Sequence, residues 1–184
     1  WFGELDEHGL PDSDHRNKWF RSDRRFDQEI RRRFLSMVLF ASEQGLDHWR
    51  SEAGGILAEI ILLDQLSRNI FRGGAMAFDQ DRQARKLCRQ AMQKGQDTML
   101  PPVHRAFLYM PLQHSELKDD QDMSVECYEQ LARSTEGILS DFMGSFLQSA
   151  KDHRAIIQKY GRFPHRNKAL GRTSTAEERE YLAG

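Results

Sequence analysis

Between Gly55 and Phe71 the apolar residues Ile56, Leu57, Ile60, Ile61, Leu62, Leu63, Leu66 and Ile70 occupy nearly every side of a helix. A surface helix lays one apolar stripe on a core, whereas a helix that is apolar all round must be enclosed by other elements. The spacing therefore predicts a central, buried helix with the rest of the chain arranged around it. Those other elements also read as helices. Phe26, Ile30, Phe34, Met37, Val38 and Ala41 recur at three and four over a charged remainder, with Gly45 as a stop signal. Asp79 is a candidate cap for a third helix to Lys94, ended by Gly95, with Ala84, Leu87, Cys88 and Ala91 inward. Pro101-Pro102 opens a segment from Val103 to about Ser115, in which Pro111 is expected to kink or end the helix. Asp122 is a candidate cap for the next, and the helical pattern then runs to Gly161 with a break expected near Asp141 or Gly144. Thr175-Ala176-Glu177-Glu178 reads as a capping box for a last helix through Leu182.

No alternating β-branched run competes with this pattern. The expected fold is all-α, a single domain over residues 1–184 built of stacked antiparallel helical hairpins. No apolar run approaches the roughly 20 residues that span a bilayer, so no membrane partner is expected. With 27 basic and 28 acidic residues there is no global field to hold a polyanion. Cys88 and Cys127 lack metal-knuckle spacing and read as reduced, buried thiols, which suits a cytoplasmic setting.

Four clusters depart from an ordinary helical bundle. Asp64, Arg68 and Arg72 lie four apart along one face of the buried helix, where a charge must be paired. They read either as an internal salt bridge or as arginines with donors left for an anion. The apolar segment through Pro111 runs directly into His114, Ser115 and Glu116. His153 projects from the apolar face that also carries Ile157 and Tyr160. Finally, the stretch Gly161 to Arg172 holds Arg162, His165, Arg166, Lys168 and Arg172 with no acid, anchored by Phe163-Pro164.

The residue types limit the chemistry. Ser115 lacks the G-x-S-x-G setting of a hydrolase elbow, and no phosphate loop is present. Asp64, His114, Glu116 and His153 are acceptable metal ligands in no diagnostic spacing, so neither a metal nor another cofactor is expected. Arg16, Lys18, Arg21, Arg24, Arg25 and Arg31 to Arg33 make the front of the chain basic, but Asp23, Asp27 and Glu29 dilute them, and nucleic acid is the weakest of the readings.

The elements Trp1-Phe2-Gly3-Glu4, Trp19-Phe20, Leu62-Leu63-Asp64-Gln65 with Arg68-Asn69, Phe107 to Leu112 with His114-Ser115-Glu116, and Gly161 to Asn167 together resemble the DUF924 family of bacterial proteins. Leu170-Gly171-Arg172 with Ser174-Thr175 and Glu178 continues the likeness to the end of the chain. The resemblance implies a tetratricopeptide-like α–α superhelix, and an apolar helix before the Trp-Phe-Gly element that this chain does not include. It implies no function.

The leading expectation is a pocket for a small anionic ligand, with or without acid–base catalysis. His114 and His153 would exchange the proton, and Asp64, Arg68, Arg72, Glu116, Arg162, His165 and Arg166 would line the binding site. It requires the three histidines to share one neighbourhood. The alternative is a helical scaffold that binds a protein or peptide in an exposed apolar groove. Whether the chain is an enzyme, and its oligomeric state, are left open by the sequence.

Overall fold

The computed structural model describes residues 1–184. Its centre is the apolar helix, which starts as Ala53–Ile60, widens into a π-helical stretch at Ile61–Leu66 and closes with the turn Ser67–Ile70. We call this continuous 53–70 helix α3. Ile56, Ile60 and Leu63 are fully buried, and so are two carboxylates on the same helix, Glu59 and Asp64. Glu59 is neutralised by a bidentate pair with Arg50, at 2.6 and 2.7 Å. Asp64 belongs to the candidate site.

Seven other helices complete the chain: α1 (Ser13–Trp19), α2 (Arg24–Ser42), α4 (Asp81–Gln93), α5 (Pro102–Gln113), α6 (Lys118–Arg133), α7 (Gly137–Tyr160) and α8 (Ala176–Ala183). The chain is all-α, with one isolated backbone bridge, Leu5 to Pro11, near its start. α2, α4 and α5 pack on α3, and α5, α6 and α7 pack in succession, α6 and α7 most extensively. The expected inner face of α4, Ala84, Leu87, Cys88 and Ala91, is buried in full.

Several local expectations are corrected. α4 begins at Asp81, because the residues before it, Ala75–Ala77, form a separate short turn of helix and Asp79 makes no cap. α5 continues past Pro111 to Gln113. The proline lies in the last turn, where few backbone donors remain to be lost. α6 starts at Lys118, four residues before Asp122, with Asp119 and Asp120 in its first turn where the helix dipole favours them. Asp122 sits inside the helix, 3.5 Å from Arg154 of α7. α7 is unbroken from Gly137 to Tyr160, and Gly161 ends it at φ 69°. The capping box at Thr175 and Glu178 is present as read.

The α2 stripe is only partly covered. Ile30, Val38 and Ala41 are buried, while Phe26, Phe34 and Met37 form one wall of an apolar groove of about 670 Å³ whose other side is Leu57, Ala58 and Ile61 of α3.

Candidate functional site

Asp64 projects from the π-helical stretch of α3 toward the C-terminal end of α5. A π-turn inside an α-helix is a local irregularity that recurs at functional sites. The Ser67 hydroxyl donates to the Leu63 carbonyl, giving an irregular turn an added partner. The Gln65 amide reaches both Oδ2 of Asp64 and the Met110 sulfur, at 2.5 and 3.2 Å. His114, the residue that ends α5, directs Nδ1 at both Asp64 oxygens, at 2.8 and 3.0 Å. Burial opposes ionisation of Asp64. The charges of His114 and Arg68, with hydrogen bonds from His114 and Gln65, outweigh it and hold the carboxyl well below the usual carboxylate range.

The arginines close a ring behind this pair. Arg68 lies 3.5 Å from Asp64 and donates to Asp81 at 2.8 and 3.2 Å. Asp81 accepts from Arg166 at 3.1 Å, and Arg166 donates back to the carbonyl of His114 at 2.9 Å. Asp64 thus holds the imidazole of His114 while Arg166 holds its backbone. The Arg166 guanidinium is also stacked between Phe78 and Phe163, at 4.7 and 4.6 Å from their ring centres.

The side-chain bonds of His114 are all made through Nδ1, and the residue lines a cavity of about 450 Å³. One wall is α7, which presents Phe142, Ser145, Phe146, Ser149 and His153 along a single face. Trp19 and Phe20 at the end of α1 and Met110 of α5 complete the apolar part. His153 donates through Nδ1 to the Ser149 carbonyl at 2.8 Å, so its Nε2 carries the free lone pair in the neutral ring. Burial, and then the neighbouring His114, hold His153 below the ordinary imidazole value and favour that neutral form. The two imidazoles lie 6.3 Å apart, centre to centre. Between them, one end of the Gln113 amide is bonded to Ser149 Oγ at 2.9 Å and the other is buried without a partner.

At the rim stands Arg16. It forms no ion pair, its guanidinium lies 5.7 Å from the centre of the Phe142 ring, and its Nε has no hydrogen-bond partner. Arg16 is the arginine of this cavity with donors to offer.

The structure brings Asp64, Arg68, His114, His153 and Arg166 together and disperses the rest. Arg72 falls beyond the end of α3, so the four-residue register with Asp64 and Arg68 is lost, and it pairs with Asp27 at 2.6 Å. Arg162 is held by Glu178 of α8 at 2.6 and 2.8 Å. Glu116 pairs with Arg172 at 2.7 and 2.9 Å and accepts the Phe163 N–H at 2.8 Å, which pins Phe163 against the His153 ring, 5.4 Å between centres. His165 is exposed beside Phe163, 5.5 Å between centres, and burial followed by the charges of Arg166 and His153 pushes its imidazole down to about 4. No three His, Cys, Asp or Glu side chains come together as a metal cage. The arginines of the 161–172 stretch, expected to face a ligand, bond to carboxylates and backbone carbonyls of the fold, and Nε of Arg166 is left buried without a partner.

Sequence reasoning did not select Arg16, Gln113, Ser149 or the aromatic wall for the site. The spacing of Phe142, Phe146, Ser149 and His153 was a usable signal, since it puts them on one helical face. Asp81 gave none, because it meets Arg68 and Arg166 only through the fold.

The model of the family described as "Bacterial protein of unknown function (DUF924)" matches residues 1–184. A solved structure of a protein of unknown function from Agrobacterium tumefaciens is similar over 90% of this chain and 88% of its own, with 36% identity and a TM-score of 0.80. No curated protein matches. The chain belongs to the DUF924 family.

Proposed function

We propose that this member of the DUF924 family binds a small organic anion with an aromatic or apolar body in the cavity between α1, α5 and α7, and that His114 exchanges a proton with it. The observation that carries this reading is the Asp64–His114 pair: a buried carboxylate fixes one imidazole nitrogen at 2.8 Å, and His114 lines the cavity with its other nitrogen unbonded. A carboxylate behind an imidazole sets its tautomer and orientation, which is what a general acid or base needs. A cavity of about 450 Å³ suits a small ligand. Trp19, Phe20, Phe142 and Phe146 would enclose its apolar body. Arg16 would fix the anionic group with its unpaired donors, and His153, held neutral, would accept a hydrogen bond through Nε2. Among the arginines the sequence pointed to, Arg68 and Arg166 then act on His114 and not on the ligand.

Benzoate, followed through intrinsic tryptophan fluorescence, tests this reading because Trp19 lines the cavity. Saturable binding is expected, weakened about tenfold in Arg16→Leu. Binding that is absent, or equal in Arg16→Leu, contradicts it.

The apolar groove beside α2 favours a second reading, in which the stacked hairpins form a tetratricopeptide-like superhelix that receives an apolar helix there. An amphipathic helical peptide rich in Leu and Phe should then bind, and Phe34→Glu should abolish the binding. Equal binding by both proteins contradicts this second reading. No helix is long and apolar enough to cross a membrane. The two free, buried thiols, Cys88 and Cys127, support a reducing, cytoplasmic setting in a bacterial cell.

A further inference from the structure

A second polar concavity lies on the outer side of α4, away from the His114 cavity. Arg82, Arg85, Lys86 and Arg89 follow one another at helical spacing along a single face and line an open cleft of about 580 Å³ with Asp120 of α6. Like charges three and four apart destabilise a helix, so a row of four cations calls for compensation. Asp120 is the single acid of the cleft, and it is buried.

That carboxylate also gives the cleft a built character. It accepts the Ser115 hydroxyl at 2.6 Å, lies 3.2 Å from Arg85 and pairs with Arg89. Ser115 accepts in turn from Arg85 Nη1 at 3.1 Å. Two guanidinium groups are therefore oriented by one buried anchor. Each has N–H donors that these bonds do not use: Nε and Nη2 on Arg85, and Nη1 on Arg89. Arg82 and Lys86 are exposed and face no carboxylate within ion-pair distance.

We propose that this face of α4 binds a diphosphate group, with Arg85 and Arg89 as the fixed forks and Arg82 and Lys86 as the outer cations. Four cations against one buried acid leave an excess that a singly charged carboxylate would not match. A diphosphate carries several charges on adjacent groups and offers acceptors to both forks. A free pyrophosphate ion and the diphosphate of a nucleotide share this chemistry.

The test is isothermal titration of the whole protein with sodium pyrophosphate and with ADP, alongside the double variant Arg82→Ala, Lys86→Ala. Both substituted residues are exposed and unpaired, so the variant should keep its fold and its response to benzoate in the other cavity. The wild type should bind pyrophosphate or ADP saturably, less tightly as salt rises, and the variant should bind about tenfold more weakly or worse. Pyrophosphate binding alone assigns the site to the free ion, and ADP binding at least as tight assigns it to a nucleotide. The proposal is overturned if neither ligand gives saturable heat, if the variant binds as well as the wild type, if sulfate binds equally well, or if a single-stranded oligonucleotide binds far more tightly than either.

Discussion

Arg166 is held within the protein through both terminal guanidinium nitrogens, while its Nε is buried without a partner. It meets Asp81, the His114 carbonyl and two aromatic faces, and it is buried. From the sequence it stood in a basic loop and read as a ligand arginine, because the loop carries no acid of its own. Its acid is 85 residues away on α4, a distance that no spacing rule spans. Arg166→Ala is therefore expected to lower stability by about 3 kcal/mol, the order seen when one member of a buried pair is removed. Urea unfolding measures it, and a loss below about 0.5 kcal/mol, typical of an ordinary surface position, would show that the ring around His114 contributes little. His153, in contrast, was legible, since its place on the apolar face follows from helical spacing alone. Its folded-state pKa is depressed, so the unfolded chain takes up the proton first as pH falls. Stability should decline from about pH 6.5 downward until the folded-state value is passed, and His153→Gln should remove that part of the slope. His104 and His165 are also held down by burial and will add their own slopes, so the difference between the two proteins is the quantity to read. Identical pH profiles would contradict the assignment.

At the scale of elements, periodicity located α2 to α5 and ran α6 and α7 together, and capping residues located the ends only where the cap acts within its own segment. Thr175 with Glu178 is such a case. Asp122 failed as a cap because α6 starts earlier, where Ser115 accepts the Leu117 N–H and the Gln121 amide donates to the carbonyls of Gln113 and Ser115. The break expected near Asp141 or Gly144 falls earlier, at Ser134 to Glu136 between α6 and α7, and α7 then packs along α6 without interruption. Gly55 shows the same override by tertiary contact. It lies in the first turn of α3, where alanine is the better helix former by about 1 kcal/mol. A Cβ there, however, would stand 2.1 Å from the Trp49 carbonyl oxygen. Gly55→Ala should destabilise the protein by about 1–3 kcal/mol. Thermal unfolding gives the sign directly, and a gain in stability would mean that Trp49 gives way freely.

Over the whole molecule, the near balance of charge hides a division of labour. Most of the arginines singled out from the sequence are matched to carboxylates that fasten one helix to another: Arg72 to Asp27, Arg68 and Arg166 to Asp81, Arg162 to Glu178, Arg172 to Glu116. Two of them, Arg68 and Arg166, also meet the Asp64–His114 pair. The all-α fold and the central position of α3 could be read from sequence because both follow from local pattern and burial. The cavity could not, because α1, α5 and α7 meet there by tertiary arrangement alone. The central claim is that His114, fixed by Asp64, meets a ligand on its other nitrogen. Long-range ¹H–¹⁵N spectra of the imidazoles, recorded as benzoate is added, test it most directly. The account predicts a hydrogen-bonded, protonated Nδ1 on His114 and an Nε2 signal that moves saturably with benzoate, while the exposed His8 and His48 stay unchanged. A His114 ring that does not respond, or that moves no more than His8 and His48, would contradict it.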